Sequence, residues 1–540
     1  MGLGAASSSF SQVVGGQWLE KMVIDPPRSQ AERFGWSVAI GCDLDLDGHP
    51  DLLVGDPYGS RKGRVSAISL AQEAALPGSG VLWEVSVSGA SGLGSSTFFP
   101  GDLNQDGLED VLVGADGVDY SGEGNGIVQA LYGRTGAVIW QVVGARDSRF
   151  AQCLGRISDI DGDGSPEVLV GSPSMDAFWI DGAGELLLLS GRTGLELMRW
   201  HGQVAGANFA TSLVSGEDLN GDGYLDFAVG ATGLEPFGVP NSGAVYLYSG
   251  SDGTVLKILA GEENERVGRD LAFAGDLDED GVMDLFAAGH ESVVAFSGLS
   301  GTPLYRLHPP KNSRDFPRSI VDLDDLDGDG FRDLAVSMNY WLEKGVVDLY
   351  SGKSGEKLDQ IVPEVPSFGW RMESYSDLDG DGYPELMVGA PDALNSSGRP
   401  DGRAYLFGFA PFLQLSGTEI SLSQGPVLEA GISFPQEEAG FPYALLFSAH
   451  GTGPTILSEV EIPLTRDTLF NSMLQGWAPP NVQGAFGVVN SEGKAWAFIF
   501  PDSIMMPFLG QTLFLAAVSY DSASGQIRLS SIARSFVVNP

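Results

Sequence analysis

Cysteine is nearly missing from this chain, with only Cys42 and Cys153 among 540 residues. Two thiols cannot staple a fold of this size, and they belong to separate segments with no reason to meet. Buried free thiols are expected, and a disulfide framework or a paired-cysteine redox motif is excluded. Histidine is scarce as well: His49, His201, His290, His308 and His450 stand apart, with no pair at the spacing of an imidazole metal site or a catalytic triad. Basic residues number 30 against 71 acids, a net charge of −41 that repels DNA, RNA and anionic membrane surfaces. No apolar run approaches the roughly 20 residues a membrane-spanning helix needs. The opening residues MGLGAASSSF lack the apolar core of a signal peptide, so residues 1–16 read as an N-terminal extension of a processed or trimmed chain.

Acid and glycine are abundant, and both follow a pattern. A nine-residue phrase, Asp-x-Asp/Asn-x-Asp-Gly-x-x-Asp/Glu, occurs seven times at intervals of 59, 57, 59, 58, 49 and 52 residues. Positions one, three, five, seven and nine of the first copy are Asp43, Asp45, Asp47, His49 and Asp51. The second has Asp102, Asn104, Asp106, Leu108 and Asp110; the third has Asp159, Asp161, Asp163, Ser165 and Glu167. The fourth has Asp218, Asn220, Asp222, Tyr224 and Asp226, and the fifth Asp276, Asp278, Asp280, Val282 and Asp284. The sixth has Asp325, Asp327, Asp329, Phe331 and Asp333, and the seventh Asp377, Asp379, Asp381, Tyr383 and Glu385. A fixed period of this length marks stacked supersecondary units that bury their faces against one another.

The phrase has the chemistry of a cation site. Carboxylates at alternate positions converge when the backbone curls, and the glycine at position six allows the tight bend. A carbonyl at position seven and an acid at nine complete an all-oxygen cage, which suits Ca²⁺ and not zinc or copper. An EF-hand closes with an acid at position twelve between helices; here the acid stands at nine and opens an apolar run, so the EF-hand is excluded. The competing reading is an acidic Asp-Gly hairpin without metal. Two carboxylates about 5 Å apart repel by about 3 kcal/mol at an effective dielectric near 20. Four in one loop therefore rival a domain's whole stability, about 5–15 kcal/mol, unless a cation is present. About seven Ca²⁺ are expected, with weaker binding where Asn104 and Asn220 replace an acid.

Each repeat reads as four strands. Strand A follows a pair such as Phe34-Gly35 or Phe368-Gly369, and the acidic loop leads to strand B (DLLVG, DVLVG, EVLVG and their equivalents). Strand C ends in a glycine hairpin such as GRTG, and strand D closes the unit. Seven such units make an all-β seven-bladed propeller. The seventh lacks a strand D, and residues 17–24 are left over ahead of the first; that segment is expected to close the ring and remove a free edge. Residues 17–410 are assigned to the propeller. Residues 411–540 break the period and read as a β-sandwich-like C-terminal domain with one short helix near Asp467–Leu474.

The Phe-Gly pairs, the Gly55-Asp56-Pro57 and Gly389-Ala390-Pro391 turns after strand B, and the acidic loops together resemble the FG-GAP repeats of integrin α-subunit propellers and of bacterial secreted FG-GAP proteins. The resemblance covers about residues 17–410. It implies that the A–B loops hold Ca²⁺. The fifth and sixth repeats depart from it, reading AAGH and VSMN after strand B.

Three functions compete: a calcium-stabilised extracellular or cell-surface adhesion module, a carbohydrate-binding lectin-like propeller, and a polysaccharide-degrading enzyme. The last would need a base or nucleophile apart from the acidic loops, and none stands out. The ligand, protein or glycan, is not named by the sequence. Binding is expected on the rim opposite the acidic loops. There the variable B–C loops carry Tyr58, Tyr120, Phe178, Trp179, Phe237, Tyr340 and Trp341.

Overall fold

The structure is a computed structural model, and it describes all residues except 1–15, 28–31, 60–62, 71–79, 87–91, 118–124, 147, 177–179, 311–314, 339–343, 396, 424–425, 454, 459 and 532. Seven four-stranded sheets, the blades, follow one another along the chain. Strand A of blades one to seven is Val38–Ile40, Leu93–Gly101, Leu154–Ile157, Phe209–Glu217, Leu271–Gly275, Ile320–Leu323 and Met372–Tyr375. Strand B begins at the ninth loop position each time: Asp51–Asp56, Asp110–Ala115, Glu167–Ser172, Asp226–Ala231, Asp284–Ala288, Asp333–Met338 and Glu385–Ala390. Blade seven continues with Arg403–Pro411 as strand C, and its outermost strand is Gly16–Ile24. That is the closure expected of residues 17–24.

Each strand A touches strand A of the next blade, and Met372–Tyr375 touches Val38–Ile40, so the row returns on itself. The seven inner strands edge a cavity of about 260 Å³ bordered by Ser37, Ser96, Gln152, Ser212, Ser319 and Glu373. Strand B is buried along its full length in every blade. Both of its faces lie against neighbouring blades, and this is why DLLVG and its relatives lack a polar alternation.

The core is divided into slabs between blades. Leu53 and Val65 of blade one pack with Val111 and Val113 of blade two. Ile24, Leu406 and Met387 of blade seven pack with Leu52 and Val54 of blade one. Polar straps reinforce these seams. An aromatic on the outer strand of one blade donates to a glycine carbonyl of the next blade's C–D hairpin: Trp83 Nε1 to Gly133 O at 2.6 Å, Trp140 Nε1 to Gly191 O at 2.6 Å and Trp200 Nε1 to Gly253 O at 3.0 Å. The Tyr305 hydroxyl reaches Gly352 O in the same way.

The chain separates into two compact units, one of Glu20–Asp324 with Phe331–Gly408 and the other of Phe409–Pro540 with Asp325–Gly330 and the first residues of the closing strand. In the second, one sheet orders Leu413–Leu415, Leu428–Ser433, Lys494–Ile499 and Val482–Gln483. The other runs Glu419–Ser421, Arg534–Asn539, Thr512–Tyr520, Pro442–Ser448 and Phe486–Val488, with Ile527–Ser530 also paired to Thr512–Tyr520. One apolar core holds Ile432, Leu446, Phe470, Ala497, Leu515 and Phe536. The helix spans Thr468–Leu474, and its N-cap Asp467 accepts from Phe470 N at 2.8 Å.

Candidate metal centres and the opposite rim

The acidic loops share one hydrogen-bonding template. The position-six glycine donates its N–H to the first carboxylate, from Gly48 to Asp43 at 2.7 Å and from Gly107 to Asp102, Gly164 to Asp159 and Gly330 to Asp325 at 2.8 Å. The glycine stands at φ between 84° and 94° in all seven loops (Gly48, Gly107, Gly164, Gly223, Gly281, Gly330 and Gly382), a conformation that L side chains rarely adopt. The position-seven N–H donates to the fifth-position carboxylate, as from His49 to Asp47 at 2.8 Å, Tyr224 to Asp222 at 2.9 Å and Tyr383 to Asp381 at 3.0 Å. Position nine is buried, with Asp51, Glu167, Asp226, Asp284, Asp333 and Glu385 each 0% exposed. It accepts from the position-two N–H: Leu44 to Asp51 at 2.7 Å, Leu277 to Asp284 at 2.7 Å, and Leu378 to Glu385 at 2.6 Å. The template fixes the loop so that the remaining oxygens face one another.

Five loops bring three carboxylate oxygens within 4.8 Å of one another: Asp43, Asp45 and Asp51; Asp159, Asp161 and Glu167; Asp276, Asp278 and Asp284; Asp325, Asp327 and Asp333; Asp377, Asp379 and Glu385. Burial pushes Asp51 up to about 7, with the charges of Asp45, Asp47 and Asp43 adding to the effect. Burial likewise raises Asp110 and Asp284 to about 6. In blades one and three the buried acid keeps one oxygen with no hydrogen-bond donor, Asp51 Oδ1 and Glu167 Oε2. Leaving such an oxygen dry and unpaired is costly, and a hard cation in the cage satisfies it. The donor set is all oxygen and fits a divalent hard cation.

The second and fourth loops, with asparagine at position three, form no such trio among the described residues. Asn104 turns its amide inward and donates to Asp110 Oδ2 at 2.7 Å, where Leu103 N also donates at 3.0 Å. Gly133 N reaches the other oxygen at 3.3 Å, so Asp110 is held by protein donors on both sides. In the fourth loop Asn220 Nδ2 donates to Asp222 Oδ2 at 3.1 Å, and Asp226 Oδ1 accepts from Gly250 N at 2.8 Å.

On the rim opposite these loops the expected aromatics divide. Tyr120, Phe178, Trp179, Tyr340 and Trp341 lie outside the described residues. Phe237 is 85% exposed. Tyr58 packs edge-on against Trp36 at 5.4 Å, and Trp36 meets Trp370 at 4.5 Å. The Arg33 guanidinium lies 5.9 Å from both the Trp36 and Tyr58 rings, and that of Arg318 lies 3.8 Å over Trp370. Trp36 and Trp370 escaped the sequence reading, although a signal was present: each directly follows a Phe-Gly pair, giving Phe-Gly-Trp in the first and last blades. The two cysteines are free thiols, Cys153 buried and Cys42 half-buried.

Comparison with known proteins agrees with this architecture. The FG-GAP repeat matches residues 34–68, 209–248 and 368–407, which lie in blades one, four and seven. The chain is 26% identical over 302 residues to integrin alpha-V of Gallus gallus, covering 46% of this chain and 28% of that protein. It is 30% identical over 244 residues to integrin alpha-IIb of Homo sapiens, covering 43% and 19%. It is 31% identical over 211 residues to integrin alpha-5 of Xenopus laevis, covering 34% and 20%. The matched region is thus less than a third of each relative's length. Among the described residues no helix is long and apolar enough to cross a membrane. The first unit of this chain is thus a β-propeller in which three blades match the FG-GAP repeat, and part of its length is similar to integrin α chains.

Proposed function

We propose that the chain is a calcium-binding adhesion module of the cell surface or extracellular space, in which Ca²⁺ in the A–B loops stabilises the propeller and the opposite rim takes a protein ligand. The observation that carries the reading is the contrast between two rims of one scaffold. One rim is built from repeated acidic cages that share a single template. The other presents a half-exposed Trp36–Tyr58–Trp370 group flanked by two guanidinium groups. Rigid aromatics beside arginine are the side chains that dominate protein interfaces, and the arginines favour an acidic anchor on the partner. Integrin α chains are relatives, and an adhesive role comes to this chain from that likeness. Calcium also fits an extracellular setting, where weak sites fill at the ambient concentration.

The test is a binding screen against arrayed cell-surface proteins in calcium and in EDTA, repeated with the Trp36→Ala/Trp370→Ala double variant. Calcium-dependent capture that the folded double variant loses supports the proposal. Undiminished capture by that variant overturns it. A second reading, a glycan binder, is favoured by one feature of the second unit. Strand Lys494–Ile499 alternates exposed and buried residues and leaves Trp496 and Phe498 46% and 37% exposed on one face. A glycan array with Trp496→Ala as control decides it.

A further inference from the structure

The seventh acidic loop already contains a cation. Lys21, on the closing strand Gly16–Ile24, places its ammonium among the acids that would ligate a metal there. Nζ contacts Asp379 Oδ2, lies 3.0 Å from Glu385 Oε1, and lies 3.6 Å from Asp381 Oδ2. These are positions three, nine and five of the loop, three of its four carboxylates.

An independent feature of the backbone makes room for it. In blade one the residue paired across from the ninth position is Ser69, whose hydroxyl donates to the fifth-position carboxylate of Asp47 at 3.2 Å. Ser190 does the same for Asp163 at 3.2 Å and Ser297 for Asp280 at 3.3 Å, while in blade four Ser251, two residues beyond that position, donates to Asp222 at 2.8 Å. In blade seven the residue across from Glu385 is Gly408. A Cβ at Gly408 would fall 1.9 Å from Lys21 Cε and 2.4 Å from Nζ. The serine that tethers the fifth-position acid in blades one, three and five is absent here, and the lysine stem passes through the space its side chain would fill.

We infer that Lys21 is the resident cation of the seventh loop and excludes a divalent ion from it, so that the strand that closes blade seven also supplies the positive charge among its acids. The fit to calcium argued for the other cages fails at this one, although Asp377, Asp379, Asp381 and Glu385 match the motif letter for letter. A tethered ammonium and a divalent ion cannot share one set of carboxylates at these distances without strong repulsion. The inference rests on the calcium reading for the remaining loops.

The experiment counts calcium per chain by native mass spectrometry after equilibration in excess Ca²⁺, for the full chain, for Lys21→Met, for Asp379→Asn, and for the two combined. Lys21→Met keeps the stem over Gly408 and should gain one ion, and the combined variant should lose that ion again. Asp379→Asn alone should leave the count unchanged while lowering the melting temperature in EDTA, an arm that stands even where Lys21→Met fails to fold. Loss of one ion on Asp379→Asn alone, or a folded Lys21→Met protein with an unchanged count, would overturn the inference. A full chain that takes up no calcium refutes the calcium reading itself, and this inference with it.

Discussion

The two units of this chain carry charge in opposite ways. Residues 411–540 hold ten acids and four bases, so most of the net charge of −41 belongs to the propeller. In the second unit Asp467 and Glu438 have protein partners. Asp467 accepts from Phe470 N and Ala449 N at 2.8 and 2.7 Å and from Ser448 Oγ at 3.0 Å, with the His450 ring at 3.0 Å. Glu438 is paired with Arg528 at 2.9 Å. In the propeller, groups of acids face one another, and in two blades a buried oxygen has no donor. Both units bury β-sheets effectively, so burial does not distinguish them. The difference lies in where such carboxylates find partners: in donors of the chain itself for Asp467 and Glu438, and, on the function proposed above, in cations from solution for most blades of the propeller.

Metal removal should separate the units most widely. Ions that bind only the folded propeller stabilise it by about 2.7 kcal/mol per site at a hundredfold excess over Kd. EDTA should therefore lower the propeller's melting temperature by many degrees while the transition of residues 411–540 stays in place. Calorimetry in calcium and in EDTA measures both. An unmoved propeller transition after verified metal removal would erase the contrast.

A smaller effect should appear on the other side. Asp467→Ala removes a helix cap and leaves two backbone donors and a serine without their acceptor, at a cost of about 1–3 kcal/mol. The loss should appear in the second unit's melting alone, with the calcium count unchanged. A shift of equal size in the propeller transition would mean that the two units do not melt separately.

The smallest effect is the most specific. In metal-free protein the folded-state value of Asp51 is raised to about 7 from 3.8. A group whose value is raised on folding adds stability in its protonated form, fully present below the unfolded value and lost as pH rises through the folded one. The melting temperature in EDTA should thus rise as pH falls from 8 towards 5.5. In saturating calcium the trend should reverse, because protons compete with the ion for the same oxygens. Melts at three pH values in both conditions check the sign, and parallel trends would show that the loops are not the titrating element.

Much of this was legible beforehand because the propeller repeats its reasons. The period, the glycine at position six and the wholly apolar strand B each have a local cause, so the sequence displays them seven times. The spare segment at 17–24 was readable because an open edge must be covered, and the helix at Thr468–Leu474 because Asp467 caps it. What stayed hidden depends on neighbours far along the chain. Nothing local distinguishes Asp379 from Asp45, since the difference is a lysine 358 residues away and a glycine in place of a serine. Trp36 and Trp370 become a pair only when the first and last blades meet. The carbonyl that accepts from Trp83 lies 50 residues ahead, in a hairpin that looks merely like a turn.

Ring closure by Gly16–Ile24 also has a consequence in time. During synthesis this strand leaves the ribosome ahead of the rest of the propeller, and its partner Arg403–Pro411 is made after almost all of it. At about 5–20 residues per second the wait is roughly 20–80 s, during which blade after blade can assemble while the ring has no latch. Through that interval the strand exposes unpaired amides and carbonyls together with Leu19, Met22 and Val23, the makings of a sticky edge. Glu20 and Lys21 break its apolar run and make it a poorer template for pairing with another nascent chain. The nascent propeller is therefore most vulnerable just before it is complete, and the charged pair at the middle of its oldest strand serves as its guard.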